Sequence, residues 1–268
     1  MQTSDIVNPN TDVSAEVLLL NSSLQLLVGI LVLILAIRVF QRYLALKTRV
    51  SFVLFLNILF LALTTLSGGL QTFYNWTQYS ITPPNILVVG LPLGGDLRLS
   101  GVVLAFGLVS FANIFMILFT YLVFQSPRKE LVYSYIFLSL LYFIYSQYHG
   151  IFIWGAEQGF PPNTSLIGDL SEVSMVILSI LAYLPLIINS YRSSKEATSD
   201  LTTKGFRVMC YGGLVYTICV IYFTLISLLN INVLVWSAWA GWLVAALLIY
   251  IGFLMPKWFQ KQFVTTTE

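Results

Sequence analysis

Residues 99–124 read LSGVVLAFGLVSFANIFMILFTYLVF, a run from Leu99 to Phe124 without one charged side chain. Wound as a helix, about 20 such residues cross the hydrocarbon of a bilayer. A barrel strand would alternate polar and apolar residues, and this run does not. Six more windows share the pattern: Val17 to Phe40, Val50 to Tyr74, Leu131 to Trp154, Leu170 to Tyr191, Phe206 to Leu229 and Val233 to Met255. None has Lys, Arg, Asp or Glu near its middle. The composition agrees, with 58% hydrophobic residues, 9% charged and a mean hydropathy of +0.86, where a soluble domain carries about 25% charge. The expected fold is an all-α membrane protein, a seven-transmembrane helix bundle.

The charges orient it. Arg38, Arg42, Lys47, Arg49, Arg128, Lys129, Arg192, Lys195, Lys204, Arg207, Lys257 and Lys261 all fall on one side of the seven spans, and Arg98 alone falls on the other. Basic connections stay cytoplasmic, so the N-terminus is expected outside and the C-terminus in the cytoplasm. Acidic residues lean the other way: Asp5, Asp12, Glu16, Asp96, Glu157, Asp169 and Glu172 lie outside. A cleavable leader opens with a basic stretch; residues 1–16 have none, so the first apolar run is expected to be a retained helix.

Three segments result: an outer polar stretch 1–16, a transmembrane domain 17–255 and a short cytoplasmic tail 256–268. Two outer connections, Asn75 to Arg98 and Gly155 to Asp169, are long enough to fold over the bundle mouth. Asn21, Asn75 and Asn163 each open an N-x-S/T acceptor pattern. Cys210 and Cys219, nine apart in one helix, are too distant to bond.

Much chemistry is excluded by what is missing. No Lys lies in a span to carry a retinal Schiff base, and His149 is the only histidine, too few for a bis-histidine haem. Pumps and proton-coupled carriers usually keep an ionisable group at mid-depth, and here the interior offers amides and hydroxyls. No metal-ligand cluster, phosphate loop or catalytic triad stands out, so neither an enzyme nor a cofactor is expected.

The informative side chains lie toward the outer half. Tyr142, Tyr145, His149 and Phe152 recur at spacings of three and four on the fourth span, as do Trp236, Trp239 and Trp242 on the seventh. Trp242 sits roughly 14 Å inside the outer boundary, below the usual aromatic belt. Two readings fit: an aromatic pocket open to the outside, with His149 and Glu157 at its rim, or plain helix packing with Trp236 in the belt. Asp169 and Glu172 form the D-x-x-E of a capping box at the start of the fifth span, though Glu172 could also face the mouth. Asn57 and Asn113, mid-span, must pair within the bundle or with a ligand. Gly68-Gly69, Gly212-Gly213 and Pro185 permit close helix contact or a kink.

The exit of the last span, Tyr250-Ile-Gly252-Phe253-Leu-Met-Pro256-Lys-Trp258-Phe, resembles that of the seven-helix N-terminal sensor region of prokaryotic, archaeal-type membrane histidine kinases. Ala112-Asn113-Ile-Phe115-Met-Ile-Leu-Phe119 is similar to that group's Asn- and Phe-containing helix. The resemblance implies a bundle that detects a ligand or membrane state and passes a movement through the seventh span. Without a kinase domain after Trp258, it implies a stand-alone sensor-like bundle that signals through a separate partner or has lost signalling altogether. The acidic-Arg-Tyr and Asn-Pro-x-x-Tyr patterns of G-protein-coupled receptors are absent.

The functional expectation is a sensor or receptor-like multi-pass protein of the plasma membrane, with a ligand pocket drawn from Tyr142, Tyr145, His149, Trp236, Trp239, Trp242, Asn113 and Glu172. Its expected partners are membrane lipids, a cytoplasmic signalling protein or other membrane subunits, and no nucleic acid. An accessory subunit of a membrane complex, or a carrier of a small neutral molecule, are the alternatives.

Overall fold

A computed structural model describes residues 15–77, 87–90, 96–99, 101–148, 165–228 and 235–264. Eight helices are seen among them: α1 (Ala15–Leu46), α2 (Arg49–Thr77), α3 (Gly101–Phe124), α4 (Lys129–Tyr148), α5 (Ser165–Glu196), α6 (Asp200–Leu228), α7 (Val235–Leu254) and the short α8 (Lys257–Val264). The first seven pack in chain order into a closed ring: each lies against the next, α7 returns to α1, and α3 also reaches across to α5. Short connections make sequential helices antiparallel neighbours, which accounts for the order.

Six helices contain segments long and apolar enough to cross a membrane: Leu19–Leu46, Arg49–Leu70, Leu104–Phe124, Val173–Glu196, Asp200–Ile226 and Ser237–Leu254. The helix α4 is not among them; it is 20 residues long, opens with Lys129 and Glu130, and carries five tyrosines. The burial pattern inverts that of a soluble protein. Large apolar side chains such as Leu70, Phe137, Ile144 and Ile218 point outward, while Asn57, Asn113, Thr120 and Ser190 are buried. Apolar solvent outside and hydrogen-bonded polar groups between helices are what a bilayer favours, so the chain reads as a multi-pass membrane protein.

Small residues set the closest approaches. A Cβ on Gly252 of α7 would lie 2.6 Å from both the Gly205 carbonyl oxygen and the Met209 nitrogen of α6, and one on Gly212 would lie 2.9 Å from the Ile249 nitrogen. Backbone meets backbone there, so the expected role of Gly212 holds and Gly252 shares it. Gly69 does the same for α2 against Leu26 of α1, where the Leu26 nitrogen would be 3.2 Å from an added Cβ.

Three helices end on a non-glycine residue in the left-handed region: Lys47 (φ 52°) after α1, Gln125 (φ 53°) after α3 and Met255 (φ 40°) after α7. Each donates its N–H four residues back, to Tyr43, Tyr121 and Ile251 respectively, at 2.6, 2.8 and 2.9 Å. This closes the final turn in the way glycine usually does.

Several expectations change. The bundle is all-α as anticipated, but the connection after α2 also holds a two-stranded antiparallel hairpin, β1 (Leu87–Gly90) and β2 (Asp96–Leu99), in which Arg98 faces Val88. The helix α5 begins at Ser165, in a stretch rich in cap-forming residues, Asn163-Thr164-Ser165. Asp169 and Glu172 therefore lie inside the helix rather than at its start, and the expected capping box does not form there. Asn21 is buried within α1, a position that cannot carry a glycan in this fold. The cysteines are both free. Residues 1–14, His149, Phe152, Glu157 and Asn163 lie outside the described residues.

Candidate functional site

An amide in an apolar helix has no water to bond, so it must find partners on its neighbours. Asn113, on the inner face of α3, does so twice: its Nδ2 donates to Ser179 Oγ of α5 at 2.8 Å, and its Oδ1 accepts from the Tyr216 hydroxyl of α6 at 3.4 Å. From α2, Asn57 Nδ2 donates to the Ala112 carbonyl of α3 at 2.7 Å. From α4, the Tyr135 hydroxyl donates to the Leu178 carbonyl of α5 at 2.9 Å. These bonds fix the α2–α3–α5–α6 seams around one polar centre.

Aromatic rings extend that centre toward α7. Tyr183 of α5 and Tyr216 stack with centroids 3.7 Å apart and planes 11° from parallel. Tyr216 lies over Trp242 at 5.7 Å and 22°. Trp239 meets Trp242 edge-on at 4.7 Å and 81°, and Phe223 meets Trp239 at 5.5 Å and 63°. Edge-to-face and stacked pairs at these separations are favourable beyond the area they bury. The spacing of three between Trp239 and Trp242 puts both on the α7 face that looks at α6.

Within this cluster three polar atoms have no hydrogen-bond partner: the Tyr183 hydroxyl, Trp239 Nε1 and Trp242 Nε1. Their residues are 0%, 7% and 4% exposed, so neither solvent nor lipid headgroups satisfy them. Leaving a buried donor unpaired costs about 1–3 kcal/mol, and native cores leave few such groups without a reason. Two indole donors and a phenol among packed aromatic rings are groups that an acceptor oxygen, of ordered water or of a small neutral molecule, would satisfy. Among the described residues the cluster contains no carboxylate, amine or imidazole. Among the described residues no group of three His, Cys, Asp or Glu converges as a metal site would.

The sequence-based pocket residues are only partly brought together. Asn113, Trp239 and Trp242 join through Tyr216. On α4, Tyr142 is buried and Tyr145 is exposed; α4 lies between α3 and α5, whereas α7 lies between α6 and α1. The fourth-span tyrosines and the seventh-span tryptophans therefore stand on different sides of the ring. Trp236 and Glu172 occupy α7 and α5, with side chains outside the described residues, as is all of His149. Tyr183, Tyr216, Ser179 and Phe223 were not anticipated. A signal for the first two existed: a tyrosine deep in an apolar run has a hydroxyl that must be paired inside the bundle.

No family model, no curated protein and no solved structure matches this chain.

Proposed function

We propose that the chain is a sensor or receptor-like protein of the plasma membrane, without enzymatic activity of its own. It binds a small neutral ligand from the outer side in the Asn113–Tyr183–Tyr216–Trp239–Trp242 cluster and acts through a separate partner. In this reading α4 is the seventh crossing. Its 20 residues rise roughly 30 Å, and it fills the ring between α3 and α5. The basic connections favour an outer N-terminus and a cytoplasmic C-terminus.

The observation that carries the proposal is the set of three unpartnered buried donors. Evolution removes such groups cheaply, by Phe in place of Tyr or Trp, unless something else pairs with them. The cluster also joins four helices, so filling it changes contacts on α3, α5, α6 and α7 together. The helix α7 then continues through the tight Gly252 contact to α8 at the inner end, a direct route from site to cytoplasm. The likeness of that exit to the sensor regions of membrane histidine kinases is in keeping with this route.

The test is affinity purification in mild detergent, with identification of bound small molecules and co-purifying proteins. A ligand or a signalling protein supports the reading, and a stoichiometric membrane complex with neither contradicts it. One observation favours that second reading, an accessory subunit: α4 exposes Leu131, Tyr133, Phe137, Leu141 and Ile144, and its seam with α5 is thin compared with the other seams of the ring. Such a flank suits another membrane chain as well as lipid.

A further inference from the structure

The described carboxylates of the inner end are gathered on one side of the ring, among basic residues of the same helices. Glu130, Glu196 and Asp200 belong to α4, α5 and α6, and Asp200 is already paired with Lys204 at 2.5 Å. The opposite side, where α1 meets α7 and α8, presents Arg38, Arg42 and Lys257 without a carboxylate partner among the described residues.

These three cations line one cleft of about 590 Å³ between the end of α1 and the α7–α8 corner. Gln41 and Tyr250 add polar groups, and Leu254 supplies an apolar wall. The corner has a defined turn geometry. Met255 turns the chain with φ 40°, Gln260 Nε2 donates to the Met255 carbonyl at 2.7 Å, and α8 starts at Lys257, so the positive end of its dipole faces the same space.

The α1 face that reaches the cleft tells what enters it. Leu27, Leu31, Ile34, Arg38, Gln41 and Ala45 follow one another at three- and four-residue steps along a single exposed stripe. It is apolar for its length and basic only at its end. From Leu19, where the spanning segment starts, Arg38 is roughly 28 Å along the helix, at the level of the headgroups on the inner side. A soluble anion would need only the charges. The continuous apolar stripe leading to them matches a molecule with a chain below and a phosphate above.

We infer that this cleft binds the phosphate-bearing headgroup of an anionic lipid, with Arg38, Arg42 and Lys257 as its ligands and the acyl chain along the α1 stripe. Basic pockets between membrane helices are sites of this kind, and Arg presents its planar donor fork to phosphate oxygens. Because α7 forms one wall, occupancy stabilises the present position of the α7–α8 corner, the element through which the core cluster is proposed to act. The inference rests on the reading that the helices span a membrane, and only there.

The test is native mass spectrometry of the full chain released from nanodiscs of equimolar phosphatidylcholine and phosphatidylglycerol. Wild-type protein retains phosphatidylglycerol in preference to phosphatidylcholine, and the Arg38→Gln/Arg42→Gln variant loses that preference by roughly tenfold or more. Lys195→Gln/Lys204→Gln, on the other side of the inner end, keeps it. Equal retention of both lipids by wild type, or unchanged retention by the α1 variant, overturns the inference. So does displacement of the lipid by glycerol phosphate in solution, which would make the site one for a soluble phosphate. Arg38, Arg42 and Lys195 are exposed and Lys204 is half-buried, and thermal unfolding in detergent checks that both variants fold. Release of the wild-type chain from its membrane by alkaline carbonate would instead sink the spanning reading, a result distinct from any lipid outcome.

Discussion

The Tyr183 and Tyr216 rings lie face to face, 3.7 Å between centroids, yet their hydroxyls have opposite fates. Tyr216 donates to Asn113, and the Tyr183 hydroxyl, with the Asn57 and Tyr216 side chains beside it, makes no hydrogen bond of good geometry. Removing each hydroxyl therefore has a different sign. Tyr216→Phe loses an interhelical bond and lowers stability by about 0.5–1.5 kcal/mol. Tyr183→Phe, in protein stripped of small molecules, removes an unpaired group and is neutral or stabilising. Thermal unfolding in detergent reads both, and a larger loss for Tyr183→Phe would mean that its hydroxyl is already paired.

Asn113 serves two partners, so truncating it strands both. Asn113→Ala is expected to cost more than Tyr216→Phe, about 1–3 kcal/mol, because Ser179 and Tyr216 lose a bond at once. The double variant Asn113→Ala/Tyr216→Phe should cost less than the sum of the two singles, as groups in one network do not add. Strict additivity in the same melting assay would count against the network.

The α6–α7 seam predicts a contrast between glycines. Gly252→Ala places its methyl against the Gly205 and Met209 backbone and should destabilise by about 1–3 kcal/mol. Gly107→Ala comes nearest to side-chain atoms of Gln147 and Phe143, which yield more readily than backbone, and should cost less. Equal melting shifts for the two would refute the close backbone contact.

Lys47 and Gln125 hold left-handed conformations that glycine adopts freely. Lys47→Gly and Gln125→Gly should each stabilise the fold by up to about 1 kcal/mol. A lower melting temperature for both would show that the helices end differently.

Orientation is open to thiol labelling in a Cys210→Ser/Cys219→Ser background. Thr198→Cys, exposed between α5 and α6, should resist a membrane-impermeant maleimide in intact cells, and Thr82→Cys, in the connection after α2, should react. The reverse pattern would invert the chain.

How much of this was legible in the sequence follows from which physics acts locally. Apolar runs of spanning length announce the helices, and Trp242 and Asn113 announce themselves by depth, since an indole or amide far from water needs a partner. Which helices touch is a matter of packing, and nothing local to Tyr142 or Tyr145 shows that α4 and α7 stand on different sides of the ring. Tyr183 and Tyr216 pass as ordinary members of apolar runs until the facing helix is known. The start of α5 was misread because D-x-x-E at Asp169 and Glu172 competes with the cap-forming residues just before Leu166. The hairpin was missed because Pro and Gly around its four-residue strands read as loop.

The central claim is that the unpartnered donors of Tyr183, Trp239 and Trp242 are partnered by a small molecule in the membrane. Native mass spectrometry of protein taken from its own membrane in mild detergent tests it directly, comparing wild type with Tyr183→Phe/Trp239→Phe/Trp242→Phe. The account predicts a small-molecule adduct on wild-type protein that the triple variant lacks while still folding. Identical spectra without any adduct on either protein would contradict it.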